Sequence, residues 1–165
     1  MVKRNAQGWT LVELLIVIAV IGIMAMITPR ILSTSTQFFI LGRTKIQLQQ
    51  EARAAIYVIT RELRQAQSNS IIIDRGTSTQ PYYSRLRFTK IQGTNVTMTQ
   101  NGSSLILTEG VNVSTMTQNL AYLSFTFPRS DDMTIVSVAL TLQKQIYGGA
   151  FKALHMASEQ VRVMN

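Results

Sequence analysis

The sequence predicts an α+β fold, in which one long N-terminal helix packs on a largely antiparallel β-sheet. Three observations predict it. Residues 14–27 are unbroken apolar sequence, a helical period of apolar residues continues to about residue 66, and short alternating runs separated by glycine and asparagine follow. The chain has 165 residues, 46% of them hydrophobic and 15% charged, and no cysteine. Disordered protein, disulfide frameworks and thiolate metal sites are therefore excluded.

The first element is an apolar stretch with the composition of a membrane-spanning helix. Residues 14–27 contain thirteen apolar side chains and one glycine, and from Trp9 to Thr28 the only charged residue is Glu13. At 1.5 Å per residue, this segment covers about 30 Å, which is the thickness of the hydrocarbon core of a bilayer. The segment therefore predicts a membrane anchor.

A secretory signal peptide has a similar basic start and apolar stretch. Two features argue against it here: the run ends in Thr28-Pro29-Arg30 without a small-x-small cleavage site, and Glu13 lies inside the run. An ionised carboxylate at membrane depth costs about 2.5–3.5 kcal/mol. Glu13 therefore needs either a partner or a position in the headgroup region.

The N-terminal sequence resembles the class III signal of type IV prepilins and type II secretion pseudopilins. The resemblance rests on a short leader with the basic residues Lys3 and Arg4 that ends in Gly8, on Thr-Leu-Val-Glu at residues 10–13, and on the apolar run that follows. It implies that a prepilin peptidase cleaves between Gly8 and Trp9 on the cytoplasmic face, and that Trp9 is then methylated. The family usually has phenylalanine where this chain has Trp9. The side chain at this position is therefore still aromatic.

The resemblance also implies roles for three residues of the helix. Glu13 pairs with the freed α-amine of a neighbouring subunit, because opposite charges attract strongly at low dielectric constant. Gly22 and Pro29 weaken the helix where such filaments bend or melt locally. The alternative for both is that glycine and proline are simply tolerated, as is common in membrane helices.

Beyond Pro29 the helical period continues on an amphipathic stretch, which predicts one helix from about Thr10 to about Gln67, about 85 Å long. Two helices broken near residues 33–36, where the sequence is Ser-Thr-Ser-Thr, are the alternative. The apolar stripe comprises Leu41, Leu48, Ala52, Ala55, Ile59, Leu63 and Ala66.

After Gln67 the composition changes to that of β-structure, with nineteen serines and threonines between residues 67 and 130. Hairpin turns are predicted at residues 93–95, 101–102 and 148–149. The alternating runs predict strands near residues 70–74, 85–91, 96–100, 104–108, 122–127, 134–143 and 153–163.

The resemblance divides the chain into a cleaved leader (1–8), a transmembrane and filament-core helix (9–29), its amphipathic continuation (30–67) and a β-rich head (68–165), as in the lollipop arrangement of pilins. Residues 57–66 and 161–165 resemble minor subunits of the pseudopilin J or pilin W sort. Such subunits are thought to prime assembly at the filament tip.

The implied role is structural, with no enzymatic activity and no cofactor. The implied location is the inner membrane, crossed once with the N-terminus in the cytoplasm and the head in the periplasm, and afterwards a type II secretion pseudopilus or a type IV pilus. The implied partners are other pilin or pseudopilin subunits, the prepilin peptidase, the inner-membrane assembly platform, and membrane lipid before assembly.

Catalysis and metal binding have little support in the sequence. Asp131 and Asp132 are the only adjacent acidic pair, whereas calcium requires six to eight oxygen ligands. His155, Ser158 and Glu159 have the residue types of a catalytic triad, but along one strand His155 and Glu159 would lie about 13 Å apart. No metal site and no catalytic residue is predicted.

A pilus-associated subunit that binds DNA or acts as an adhesin is the functional alternative. The net charge is +8. Arg85 and Arg87 would share one strand face, with Tyr82, Tyr83 and Lys90 nearby, and such a face suits a phosphate backbone beside stacked bases. A basic face that keeps the sheet soluble and deters edge pairing is the simpler interpretation, so nucleic acid is not an expected partner.

Overall fold

The structure is a computed structural model that describes residues 9–149 and 151–163. It has one α-helix and eight strands, and the α+β class is confirmed. The chain divides between Gly42 and Arg43 into two compact units, here the N-terminal unit and the head unit. The elements are α1 (Leu11–Arg64), β1 (Ile72–Asp74), β2 (Arg85–Thr89), β3 (Asn95–Asn101), β4 (Ser104–Glu109), β5 (Asn112–Thr117), β6 (Leu120–Thr126), β7 (Ile135–Ile146) and β8 (Phe151–Arg162).

Helix α1 is a single helix of 54 residues, and the alternative of two helices broken near residues 33–36 is wrong. Two threonine hydroxyls in this segment donate to backbone carbonyls of the helix, and the helix continues through it. Thr34 Oγ1 donates to the carbonyl of Arg30 at 3.0 Å, and Thr36 Oγ1 donates to that of Leu32 at 2.9 Å. Because these hydroxyls bond back to carbonyls four residues earlier, they do not compete for the backbone as caps or turns would.

The helix also continues through Gly22 and Pro29. A break at either residue is therefore not a property of the single chain. The weakening predicted for both concerns the assembled filament, and it stays a prediction.

In the head unit, α1 buries the stripe that the sequence predicts. Leu48, Ala52, Ala55, Ile59 and Leu63 are buried, as is Ala66 just beyond the helix. Leu41, the first residue of the predicted stripe, belongs to the N-terminal unit and is half-buried. The recurrence of these residues every three or four positions aligns them on one side of the helix, where they form the helical part of the core.

The strands form two antiparallel sheets, where the sequence predicted one. The first has the order β1-β2-β3-β4-β5 and the second β6-β7-β8. Register shifts occur at Leu105/Ile106 in the β4–β5 pair and at Leu120/Tyr122 in the β6–β7 pair, on either side of the link between the sheets. Such irregularities bend and twist a strand, and here they accompany the change of sheet.

The core of the head unit lies between these sheets and α1. Alternate residues of the strands point inward, as the period of two requires, and Met98, Leu123, Phe125, Leu140 and Leu142 are among those fully buried. Backbone hydrogen bonds join the sheets: Phe125 N donates to Tyr83 O at 2.9 Å and Leu120 N to Ser103 O at 2.8 Å.

Candidate functional site

The predicted processing and assembly site lies at the start of α1. Of its residues, Trp9 and Glu13 are described, whereas Lys3, Arg4 and Gly8 lie outside the described residues. Trp9 is exposed and precedes the helix, so its backbone is not part of the helical hydrogen-bond ladder.

Thr10 and Glu13 form a capping box. The carbonyl of Thr10 accepts the bond from Leu14 N at 3.2 Å, and Thr10 Oγ1 accepts from Glu13 N at 3.3 Å. In return, Glu13 Oε2 accepts from both the backbone nitrogen and the hydroxyl of Thr10, each at 3.4 Å. The three contacts between Thr10 and Glu13 are longer than the usual 2.7–3.2 Å of N–H···O bonds, so the cap holds the carboxylate only loosely.

The surface that follows the cap is apolar and exposed. Every residue from 11 to 36 is exposed in the single chain, and among the described residues α1 is the one helix long and apolar enough to cross a membrane. A continuous apolar surface of this extent needs lipid or protein around it. The hydroxyl of Thr28 suits such surroundings, because it donates to the carbonyl of Met24 at 2.7 Å.

In the second predicted site, the basic face of the head, one carboxylate already contacts both arginines. Arg85 and Arg87 lie on one face of β2, as predicted, but both contact Asp74 of β1. Arg85 Nε lies 2.6 Å from Asp74 Oδ1, and Arg87 Nη2 lies 2.6 Å from Asp74 Oδ2. The hydrogen bond from Arg85 is the main cause that lowers the pKa of Asp74, so this carboxylate stays ionised and offsets the arginines at neutral pH.

Lys90, which the sequence predicted near that face, is instead buried on the opposite side of the sheet. Its side chain is only 8% exposed, and Nζ lies 2.5 Å from Oε2 of Glu62, which is 2% exposed. Nζ also contacts Oε1 of Glu109. Arg61 adds a bond to Glu62, with Nη2 and Oε1 2.6 Å apart. Lys90 is buried because β2 ends where the C-terminal end of α1 meets the sheet, next to Glu62.

The ionisation of this cluster follows from two opposing effects. Burial raises the pKa of Glu62, but the hydrogen bonds from Lys90 and Arg61 outweigh it, and the pKa lies below its ordinary value. Burial lowers the pKa of Lys90, but the bonds to Glu109 and Glu62 outweigh it, and the pKa lies above its ordinary value. Lys90 and Glu62 are therefore both charged at neutral pH.

The predicted aromatic partners of the basic face have other neighbours. The Tyr82 ring packs on that of Tyr122 with centroids 4.5 Å apart. Tyr83 is half exposed and has the guanidinium of Arg75 over its ring, 5.8 Å from the centroid. The structure thus separates Lys90 from the five-residue set and leaves the other four in contacts within the head.

The adjacent acidic residues Asp131 and Asp132 both have partners within the head. Arg129 Nη2 pairs with Asp131 at 2.9 Å, and Asp132 accepts from Thr134 N at 3.0 Å. His155 and Glu159 both lie on β8. Among residues 9–149 and 151–163, no group of three or more acidic or histidine side chains could hold a metal ion.

Sequence reasoning missed the cap and the buried ionic cluster. Thr-x-x-Glu immediately before an apolar helix is a readable signature of a capping box, so Thr10 could have been identified. The cluster joins Glu62 of α1, Lys90 just after β2 and Glu109 of β4, which are far apart in the chain, so no local sequence pattern predicts it.

The family model described as the prokaryotic N-terminal methylation motif matches residues 3–28. The motif indicates a type IV pilin-like protein. No curated protein and no solved structure matches the chain significantly. Together with the exposed apolar part of α1, the motif indicates a structural subunit that is processed by a prepilin peptidase, anchored in a membrane and assembled with other pilins.

Proposed function

We propose that this pilin-like chain is a minor subunit that assembles through its N-terminal helix into a type II secretion pseudopilus or a type IV pilus, in the tip or priming complex. The observation that carries the proposal is the methylation motif at residues 3–28 running directly into a 54-residue helix with an uncovered apolar start. The resemblance of residues 57–66 and 161–165 to pseudopilin J and pilin W supports the minor role.

In this proposal the apolar part of α1 has two successive environments. Before assembly, lipid of the inner membrane surrounds it, with the head unit in the periplasm. After cleavage between Gly8 and Trp9 and methylation of Trp9, the helices of neighbouring subunits replace the lipid, with the assembly platform as partner. Because helix and lipid are similarly apolar, close packing and polar contacts must favour the filament over the membrane.

Glu13 supplies such a polar contact. Cleavage creates an α-amine at Trp9, and an amine of a neighbouring subunit would compete with Thr10 for the Glu13 carboxylate. The contacts of this carboxylate to Thr10 are long, 3.4 Å each, and a charge-assisted bond at about 2.7–2.9 Å is stronger. Loose capping thus leaves the carboxylate able to exchange its local partner for an intersubunit one.

The mass of the mature N-terminus tests the proposal. The full chain is expressed in cells that carry a prepilin peptidase, extracted from the membrane and analysed intact and after proteolysis. The expected N-terminal peptide begins at Trp9 and carries one methyl group. A protein that keeps Met1, or one that is cut beyond Pro29, would contradict the class and not only the subtype.

A matched pair of variants tests the assembly contact. Glu13→Gln removes the charge and keeps the size, whereas Thr10→Val removes the hydroxyl of the cap and keeps the carboxylate. We expect Glu13→Gln to insert and be cleaved normally but to co-precipitate poorly with the other subunits, and Thr10→Val to co-precipitate as wild type. Equal co-assembly of Glu13→Gln and wild type would rule out this role for Glu13.

A further inference from the structure

Strand β8 has an open edge whose central residues lack the usual protection against pairing, since its charged residues Lys152, Glu159 and Arg162 lie toward the two ends. It hydrogen-bonds to β7 over twelve residues without a register shift, and no strand pairs with its other side in the described part of the chain. Natural edge strands usually carry charges, prolines, bulges or a short length. Residues 153–158 read Ala-Leu-His-Met-Ala-Ser, with no acidic, lysine, arginine or proline residue, and Leu154 and Met156 are 48% and 70% exposed.

A groove runs beside this edge within the head unit. It lies between the inner face of β8, at Ala157 and Glu159, and the side of α1, and it has a volume of about 530 Å³. Its helical wall is a stripe at intervals of three or four residues that includes Arg53, Tyr57 and Arg64. The inner face of the β6-β7-β8 sheet is turned to α1. A strand added beside β8 would therefore extend this sheet over the helical stripe.

The groove is basic. Arg53, Arg61 and Arg64 line it, against the single acidic residue Glu159. Arg61 is paired with Glu62, but in the part of the chain that the structure describes neither Arg53 nor Arg64 has a salt-bridge partner. The Thr60 hydroxyl at the groove is buried and also has no hydrogen-bond partner among the described residues.

We propose that β8 binds an extended, acidic segment of a different protein chain as an added strand, with carboxylates of that segment against Arg53 and Arg64. Backbone hydrogen bonds to β8 would supply affinity, and the arginines would select the charge of the segment. A second copy of this chain fits less well, because it would bring another basic groove to the same place. The inference goes beyond assembly through α1, since it uses residues of the head unit alone.

The test uses the full chain in detergent micelles and a labelled synthetic peptide of about seven residues that alternates valine and glutamate, a typical strand length. Fluorescence polarisation measures binding, and amide hydrogen exchange of β8 reports pairing. One control peptide has lysine in place of glutamate. Another has the acidic sequence with methylated backbone nitrogens, so it keeps the charge but cannot donate to a strand.

The matched variants are Arg53→Ser/Arg64→Ser in the groove and Arg43→Ser/Lys45→Ser, two exposed basic residues on α1 outside it. We expect the acidic peptide to bind and to slow exchange in β8, with both control peptides failing. The groove double variant should weaken binding about tenfold, from the loss of two exposed ion pairs. The Arg43/Lys45 variant should bind as wild type.

Four results would overturn the proposal. They are absence of binding by the acidic peptide, equal binding by the lysine or the methylated peptide, unchanged binding by the groove variant, and dimerisation of the chain through β8. Since all four substituted side chains are exposed on the helix, each variant should unfold at the wild-type temperature, which far-ultraviolet circular dichroism checks.

Discussion

Residues 11–42 and 43–64 belong to one helix, yet their side chains meet opposite surroundings. In the first segment nearly every side chain is exposed, although most of residues 14–27 are apolar. In the second segment one stripe is buried against the sheets, and the other sides are mostly polar, with Ile46 and Tyr57 as exposed apolar exceptions. The backbone conformation is the same in both, so hydrogen bonding within the helix does not distinguish them.

The difference shows where the stability of each segment comes from. The second segment is held by apolar area buried inside the head unit. The first has no such burial in the single chain and depends on lipid or on neighbouring subunits. A substitution should therefore affect the folding of the head only in the second segment, and membrane or filament association only in the first.

The largest expected effect comes from truncating a buried leucine of the second segment. Leu63 is fully buried, whereas Leu15, in the first segment, is 57% exposed. Leu63→Ala should lower the free energy of unfolding of the head by about 2–5 kcal/mol, from lost burial and the cavity left behind. Leu15→Ala should leave it unchanged.

Denaturant unfolding in detergent, followed by near-ultraviolet circular dichroism of tyrosine, measures both variants. The five tyrosines all lie after residue 56 and report on the head, whereas the only tryptophan is Trp9. If Leu15→Ala destabilised the head as much as Leu63→Ala does, the two segments would not be independent in this sense.

An effect of similar size is expected at the buried pair of Lys90 and Glu62. Lys90→Met should destabilise the head by about 3–5 kcal/mol, because it leaves the buried Glu62 carboxylate without its nearest cation. The double variant Lys90→Met/Glu62→Leu should recover much of this loss, since it removes both buried charges. Arg129→Met serves as the control, because its pair with Asp131 is largely exposed and should contribute less than about 1 kcal/mol.

The same pair predicts a pH dependence. Because the pKa of Glu62 is lowered in the folded protein, its contribution is complete above the ordinary value of 4.5 and is lost as pH falls through the folded pKa. Because the pKa of Lys90 is raised, its contribution is complete below 10.5 and is lost as pH rises through the folded pKa.

The stability gap between wild type and Glu62→Gln should therefore be widest between about pH 5 and 10, and it should narrow on acidification below 4.5. Denaturant unfolding at a series of pH values measures it. A gap that stayed constant down to pH 2 would mean that the ionised form of Glu62 does not stabilise the head.

The sequence predicted the helix and most of the strands because their patterns are local. The apolar run, the stripe from Leu48 to Ala66 and the alternation in β7 each depend on near neighbours along the chain. Strand β5 was missed because it lies at a sheet edge, where its Asn-Val-Ser-Thr-Met-Thr sequence is mostly exposed and shows no apolar alternation. The division into two sheets was missed because a bulge depends on how a strand pairs with its neighbour, which the sequence of one strand alone does not show.

The site residues also differ in whether a local sequence pattern predicts them. The motif around Gly8, Trp9 and Glu13 could be read from consecutive residues. The pairing of Lys90 with Glu62 could not, since it depends on where the end of α1 lies. The alternation of side chains along a strand does place residue 90 on the face opposite to Arg85 and Arg87, so the separation of Lys90 from those arginines could have been predicted. Asp74, whose single carboxylate contacts both Arg85 and Arg87, is likewise brought there by the pairing of β1 with β2.

The smallest expected effect concerns the cap at the start of the first segment. Thr10→Val and Glu13→Gln each remove part of the capping box, and the loss of a cap at an exposed helix end costs about 0.5–2 kcal/mol locally. Since the contacts are 3.3–3.4 Å long, the effect should lie at the low end. It should appear as faster amide exchange in the first turn of α1 in detergent, with no change in the unfolding of the head.

Leu11→Ala, in the same turn but outside the capping box, is the control. A shift of head stability in either capping variant would show that the start of the helix and the head are energetically coupled, which the exposed apolar segment between them gives no reason to expect.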